Sequence, residues 1–438
     1  MNVTNTFDFI IVGAGSAGCV LANHLSADRR HTVLLIEAGK MSHPLTPVPI
    51  SFSRFIDNPK VNWCYASEPE PVMAERSIPV PRGRILGGSS AINGLVYVRG
   101  QPLDYNTWAQ LGNRGWSFDD VLPIFQRMEN YEPGADEWRS QGGPLHVSEV
   151  ADQNPLYDAL VAAGEEIGLP NNPDYNGADQ TGLCKTQTTI RDGKRMSAAV
   201  AYLAPARPRP NLTIVTEALA HRLTLSGKRC TGVSYAVDGR TIDAQARGEV
   251  ILCCGSINSP QLLELSGIGQ PALLKSQGIE VRHDLTGVGE SLRDHIAPRM
   301  GWTIKKRGVT FNDRARGLGL LWQVAKYAIN KDGFLSLPSA PLVAFIKTHT
   351  DLESPDAQLH LVPYAFSPTT RKLLDEPGMT ITVYQLRPES LGSIHIKSMD
   401  PHEAPAIRFN FLSDPLDRQT LVDRSEEHTS ELQSRETI

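Results

Sequence analysis

The sequence holds no apolar run near the roughly 20 residues that a membrane-crossing helix requires, so no such helix is expected. Blocks of like charge are also missing. The formal net charge is -5 over 438 residues, and the charged side chains are interspersed. That leaves no basic field for nucleic acid, and polyanion binding is excluded from the expected functions. Cysteine is sparse and unpatterned: Cys19, Cys64, Cys184, Cys230, Cys253 and Cys254 form no CxxC pair. Neither a metal site nor a disulfide framework is expected, and a reducing, cytoplasmic setting fits best. Adjacent Cys253 and Cys254 continue the apolar run of "EVILCCGS" and read as small buried residues. The N-terminal stretch has no basic segment, and its apolar burst ends at Gly13; it reads as a strand and not as a secretion signal. Internal repeats and low-complexity linkers are absent as well.

What is present is glycine in three concentrated turns. In "FDFIIVGAGSAGCVLANHLSADRRHTVLLIEAG" the near-continuous apolar run Phe7 to Val12 suits a strand buried on both faces of a parallel sheet. Gly13-x-Gly15-x-x-Gly18 follows. Ala17, Val20, Leu21 and Leu25 then recur at helical spacing, and a second apolar run, Val33 to Ile36, ends in Glu37, 19 residues beyond Gly18. This is the dinucleotide fingerprint: Gly13 for the turn, Gly15 for close approach of a pyrophosphate, Gly18 for helix-strand packing, and an acid for a ribose hydroxyl. The pyrophosphate would sit on the helix N-terminus, where open N–H groups and the macrodipole favour an anion. An acid at position 37 disfavours a 2'-phosphate, which leaves NAD and FAD.

The second turn, "RGRILGGSSAINGLVYVRG" (82–100), has so little side chain that its backbone must press against another segment or a ligand. The third, "EVILCCGSINSPQLLELSGIG" (249–269), reads as a strand from Glu249, a Gly255–Ser256 turn and a helix with Ser259 at the N-cap, Pro260 at its first position and Gly267 as its stop. A strand returning to the sheet puts this turn at the ligand crevice of a doubly wound fold.

These two stretches resemble, nearly position by position, the signature motifs of the glucose-methanol-choline (GMC) oxidoreductases, FAD enzymes that oxidise alcohols. The resemblance continues through "DYNTWAQLGNRGWSFDDVLPIFQRMEN", "TGVGESLRDH" and "LRPESLGSIHIKSMDPHEAPAIRFNFLSDPLD", from about Phe7 to about Leu421. It is nearest to the bacterial choline-dehydrogenase-like and aliphatic-alcohol-dehydrogenase-like branch. It implies an α/β fold with a Rossmann-like FAD-binding domain: a doubly wound parallel sheet with inserted antiparallel strands, over 1–298, with an excursion at about 156–210. An α+β substrate domain would follow over 299–423, incomplete at its end. Carried over, the family's residues imply Gly13, Gly15, Ser16 and Gly18 at the pyrophosphate and Glu37 at the adenosine ribose. Ile85, Gly88, Asn93, Gly94, Leu95 and Val96 would lie along the middle and flavin end of FAD, and Leu219 would meet the adenine through its main chain. Ile92 stands where some members carry a histidine tethered to the flavin, so the resemblance implies non-covalent FAD.

The implied reaction is hydride transfer from a primary or amino alcohol, choline-like or aliphatic, to flavin N5, with a quinone or oxygen as electron acceptor. Peripheral contact with the inner membrane is compatible with it. A hydroxynitrile-lyase-like activity and an inactive flavin-binding fragment are the competing readings. Of the histidines, His360 and His395 fall in alternating strands where a satisfied structural histidine is the commoner outcome, and His295 is not the family's base. No catalytic residue is assigned: the family's histidine base lies in a later segment. In "LSDPLDRQTLVDRSEEHTSELQSRETI" a helix starts with Asp414 at the N-cap and Pro415 at its first position. Its apolar face stops after Val422. Residues 424–438 resemble the translation of a sequencing adapter and are expected to be non-native.

Between these motifs, Leu212 to Ile242 alternate in polarity and are expected to form antiparallel strands before the return strand at Glu249. Residues 318–329 read as a helix.

Overall fold

The structure, a computed structural model, describes residues 5–367 and 372–422; the expectation for 424–438 lies outside the described residues. Eleven strands frame it in chain order: β1 (Thr6–Val12), β2 (Val33–Ile36), β3 (Gly182–Lys185), β4 (Leu212–Val215), β5 (Ala218–Ser226), β6 (Arg229–Val237), β7 (Arg240–Leu252), β8 (Arg299–Thr303), β9 (Leu342–Ile346), β10 (Ala357–Val362) and β11 (Gly378–Gln385). Three helices matter for the site: α1 (Ser16–Leu25), α2 (Gly255–Leu265) and α3 (Gly317–Asn330).

The first sheet has the order β4-β2-β1-β7-β6-β5. β4, β2, β1 and the end of β7 are parallel, while β7–β6–β5 is an antiparallel meander. β2 and the last four residues of β1 are apolar throughout because side chains alternate between two covered faces. Ile11, Val33 and Leu35 join Cys19 and Ala22 of α1 on one face. Ile10, Val12, Leu34 and Ile36 join Leu262 of α2 on the other. Each such buried aliphatic side chain stabilises the fold by about 1.5–3 kcal/mol.

Two expectations are corrected here. The return strand starts at Arg240, not Glu249, and runs 13 residues; it pairs antiparallel with β6 near its start and parallel with β1 near its end. A bulge between Phe7 and Phe9 lets β1 accommodate that strand. β4, read as antiparallel, is instead the parallel neighbour of β2. Alternation in its short sequence could not separate the two pairings.

The second sheet, β8-β11-β10-β9-β3, is antiparallel at every pairing. β3 comes from far upstream of its neighbours. Leu342, Ala344, Leu359, Leu361, Ile381 and Val383 bury one face. On the opposite face Val343 and Phe345 pack with Tyr175, Cys184, Val96 and Val98. The segment after the second glycine turn is thereby seated on this sheet.

Candidate functional site

β1 ends in a turn at Gly13, whose φ of +100° lies in the region L side chains rarely adopt; a Cβ there would come within 2.4 Å of the Cys253 carbonyl oxygen. Gly15 is the N-cap of α1. By helix geometry the first-turn amides are left open for an anion. The second glycine stretch lies directly on the first, since a Cβ on Gly88 would stand 2.7 Å from the Gly15 Cα. The third turn completes the enclosure, with α2 starting at Gly255. This corrects the expected helix start. Cys254, not Ser259, is the N-cap, and Pro260 lies inside the helix. The positive φ of Gly255, +83°, lets the chain turn from strand to helix five residues earlier than the proline suggested.

Together the three turns surround a cavity of about 500 Å³. Of the residues singled out in the sequence, Gly13, Gly15, Ser16, Glu37, Gly88 and Leu219 line it. Gly18 is buried beneath, its Cβ position 1.9 Å from the Gly13 carbonyl oxygen. Ile85 is 1% exposed and packs with Phe55, Val61, Ala91 and Ile92. Asn93, Gly94, Leu95 and Val96 form a second group away from the cavity lining. There Gly94 accepts from the Ser339 amide, and Val96 bridges to Thr188.

Glu37 is 6% exposed. Its carboxylate accepts from the Ala14 amide at 2.9 Å and the Gly39 amide at 2.8 Å, which ties the end of β2 to the first glycine turn. Burial raises its pKa to about 7, against the lowering effect of those two amides and of Arg84. Each oxygen keeps lone-pair capacity for a further donor such as a ribose hydroxyl.

Sequence reasoning missed Trp63, Arg82 and Asn258 in the cavity wall. Asn258 donates to the Tyr65 hydroxyl at 2.7 Å, and Trp63 stacks on that ring at 5.6 Å. It also missed a buried charge cluster behind the second group. Arg139 donates through Nε and Nη2 to both oxygens of Glu129 at 3.1 Å and through Nη1 to Asp174 at 2.8 Å, and its guanidinium lies 3.6 Å from the Tyr131 ring centre. Arg99 Nη2 is 2.8 Å from Glu129 Oε1 but outside hydrogen-bonding alignment, so that contact is coulombic. Tyr97 to Arg99 are held by this cluster through Tyr175 and Asn176. These partners are far apart in the chain, and no local pattern encodes them.

His360 is directly opposite Val343 and shares the β9 face that meets Val96. Its ring is 2.9 Å from Gln358 Nε2 and 3.3 Å from the Tyr384 hydroxyl, and burial holds its pKa near 4. His395 sits between Glu264 (2.7 Å) and Glu290 (3.0 Å). The Glu264 hydrogen bond leads the causes that raise its pKa. Both are satisfied histidines. His295 stands 3.3 Å from the Leu386 carbonyl. All six cysteines are free, and burial raises the Cys254 thiol to about 12.

A parallel sheet whose first strand ends in a glycine turn, with a buried acid closing the second, defines a dinucleotide-binding α/β protein. Comparison with known proteins makes this specific. The sequence profile described as GMC oxidoreductase matches residues 7–297. The chain is 39% identical over 423 residues to an oxygen-dependent choline dehydrogenase of Photobacterium profundum, covering 95% of this chain and 74% of that one. An enzyme of the same name from Rhizobium etli is 41% identical over 414 residues, covering 94% and 74%. Among solved structures, pyridoxine 4-oxidase from Mesorbium loti superposes with a TM-score of 0.87 at 28% identity, covering 98% of this chain and 81% of that chain. A formate oxidase superposes with a TM-score of 0.87 at 27% identity, covering 95% and 79%. The chain belongs to the GMC oxidoreductase family. It is an FAD-dependent oxidoreductase acting on alcohols.

Proposed function

We propose that this enzyme oxidises a primary or amino alcohol, choline-like or aliphatic, and passes the electrons to a quinone or to oxygen. Bound FAD would take up the hydride at flavin N5. The amides at the start of α1 and the Gly13–Gly18 turn would hold the pyrophosphate, Glu37 would accept from the adenosine ribose, and the Leu219 main chain would meet the adenine. Gly88 would let the middle of the cofactor pass, with Ile85 supporting the turn behind it. Asn93, Gly94, Leu95 and Val96 would line the flavin end. The cavity supports this fit. It is walled by backbone where a pyrophosphate needs close approach, and by a buried carboxylate where a ribose needs an acceptor. In this reading residues 1–298, apart from about 156–210, hold the cofactor, and 299–423 cover the substrate.

The observation that carries non-covalent binding is Ile92, 8% exposed in an apolar cluster with Phe55 and Ile85. It offers no nucleophile to a flavin. Acid precipitation of the holoprotein should therefore release all of its FAD to the supernatant; yellow colour remaining in the pellet would overturn this. For the reaction itself, anaerobic addition of choline or a primary aliphatic alcohol should bleach the flavin. A flavin inert to both, with turnover of a cyanohydrin, would replace the oxidoreductase with the lyase reading.

Cytoplasmic location with peripheral contact at the inner membrane belongs to the same proposal. No described helix is long and apolar enough to cross a membrane. Yet α3 is apolar and buries only Tyr327, leaving Leu318, Trp322 and Ile329 at 84%, 67% and 79% exposure. Such a surface suits the interfacial zone of a bilayer, where a quinone acceptor would be reached.

A further inference from the structure

Arg195 is 3% exposed, and each of its guanidinium nitrogens donates to protein oxygen. Nε donates to the Thr46 carbonyl at 3.0 Å and Nη2 to the Pro49 carbonyl at 3.3 Å. Nη1 reaches the Ser90 carbonyl at 3.3 Å, and the Asn93 carbonyl and Asn93 Oδ1 at 2.7 Å each. Every acceptor is a neutral oxygen. Among the described residues no carboxylate pairs with this cation. Burial lowers its pKa only to about 10, so it is charged at neutral pH. A buried cation without a counter-charge is strongly unfavourable unless something else compensates it.

The same contacts fix an amide. Asn93 Oδ1 also accepts from the Leu95 amide at 3.3 Å. Arginine has donors only, so the atom that receives it must be oxygen. The Asn93 Nδ2 group is thereby the free end. The residue is exposed, and Nδ2 has no partner among the described residues. An amide held this way offers a ligand two donors and no acceptor.

We propose that Arg195 is a positioning residue for the flavin: it presents the Asn93 amide as a donor to a flavin acceptor atom, and its unpaired charge behind Ser90–Asn93 is balanced by the negative charge of the bound, and then reduced, cofactor. This rests on the assignment of Asn93 to the flavin end. Arg195 is not catalytic, because it is buried and each of its three guanidinium nitrogens already donates to a protein oxygen.

Three variants separate the roles: Arg195→Met removes the charge, Arg195→Lys keeps the charge but not the five-fold coordination, and Asn93→Asp supplies a counter-charge and removes the donor. Apoprotein of each is titrated with FAD, its thermal unfolding recorded, and the midpoint potential of bound flavin measured against a reference dye. For R195M, FAD binding should weaken about tenfold, as for loss of one strong hydrogen bond. Its ratio of reduced to oxidised cofactor should fall about tenfold more, a potential about 30 mV more negative for a two-electron couple. R195K should lose affinity but keep most of the potential; N93D should shift the potential in the R195M direction. If R195M lowers only the unfolding temperature and leaves the potential unchanged, Arg195 is merely structural and the inference falls. Should R195M not fold, an unchanged potential in N93D overturns it equally. Wild-type apoprotein that takes up no FAD at all would instead overturn the cofactor assignment on which the inference stands.

Discussion

The two sheets achieve order by different means. In the first, the glycine turns of the cavity wall meet through main chain: Gly13, Gly15 and Gly88 come within contact of one another or of the Cys253 carbonyl, and the buried acid Glu37 is held by two amides. In the second, the segment from Val96 to Arg99 is positioned by side chains drawn from widely separated places: Glu129, Arg139, Asp174, Asn176 and Gln187. A site built from backbone tolerates side-chain change and is intolerant of an added Cβ. One built from side-chain charges behaves in the opposite way.

That contrast can be broken most forcefully at Glu129. Its side chain is fully buried against Arg99 and Arg139. Glu129→Gln should destabilise the protein by about 3–5 kcal/mol, because it strands buried positive charge; denaturant unfolding measures this, and a loss under 1 kcal/mol would show that the cluster relaxes. Gly13→Ala should follow, at about 2–4 kcal/mol, from positive φ plus overlap with the Cys253 carbonyl. FAD uptake should fall with it.

Glu37 sharpens the comparison through pH. Its pKa rises from 4.5 to about 7 on folding of the apoprotein, so the folded state holds the proton more tightly than the unfolded chain. Its contribution is fully present below pH 4.5 and is lost as pH rises through 7. Relative to Glu37→Gln, the wild-type apoprotein should lose on the order of 2–3 kcal/mol across that window. FAD affinity should move the other way, tightening with pH as the carboxylate ionises to accept ribose hydroxyls. A pH-independent difference between the two proteins would refute the shift. The smallest effect is expected at Leu219→Met, under about 1 kcal/mol in stability, with FAD affinity unchanged if the contact is through main chain. A tenfold loss of affinity would mean the side chain itself is read.

The same division explains what was legible beforehand. Gly13, Gly15, Ser16, Glu37 and Gly88 stand out because a turn, a helix start and a strand end are local events with fixed spacings. The order of β1, α1 and β2 was readable for the same reason, as was Gly267 as the stop of α2. The pairing of β4 with β2, the true start of β7 and the start of α2 at Gly255 were not, since each depends on a neighbour far along the chain. Arg195 and Arg139 were invisible for the same physical reason. A buried arginine looks like any surface arginine until the oxygens that receive it, 102 to 149 residues away in the case of Asn93 and Thr46, are known.

The two-faced strand β7 carries a consequence for how the protein comes into being. Its antiparallel partner β6 is made moments before it, whereas Thr6 of β1 must wait for Gln245. At ordinary rates of synthesis that wait is on the order of ten to fifty seconds. During it Ile10, Ile11 and Val12 lack the partner strand that later shields them. FAD offered to the growing chain finds no complete cavity wall until Leu265 and then Pro401 have been added. The first glycine turn is thus among the earliest parts made and among the last to acquire its function.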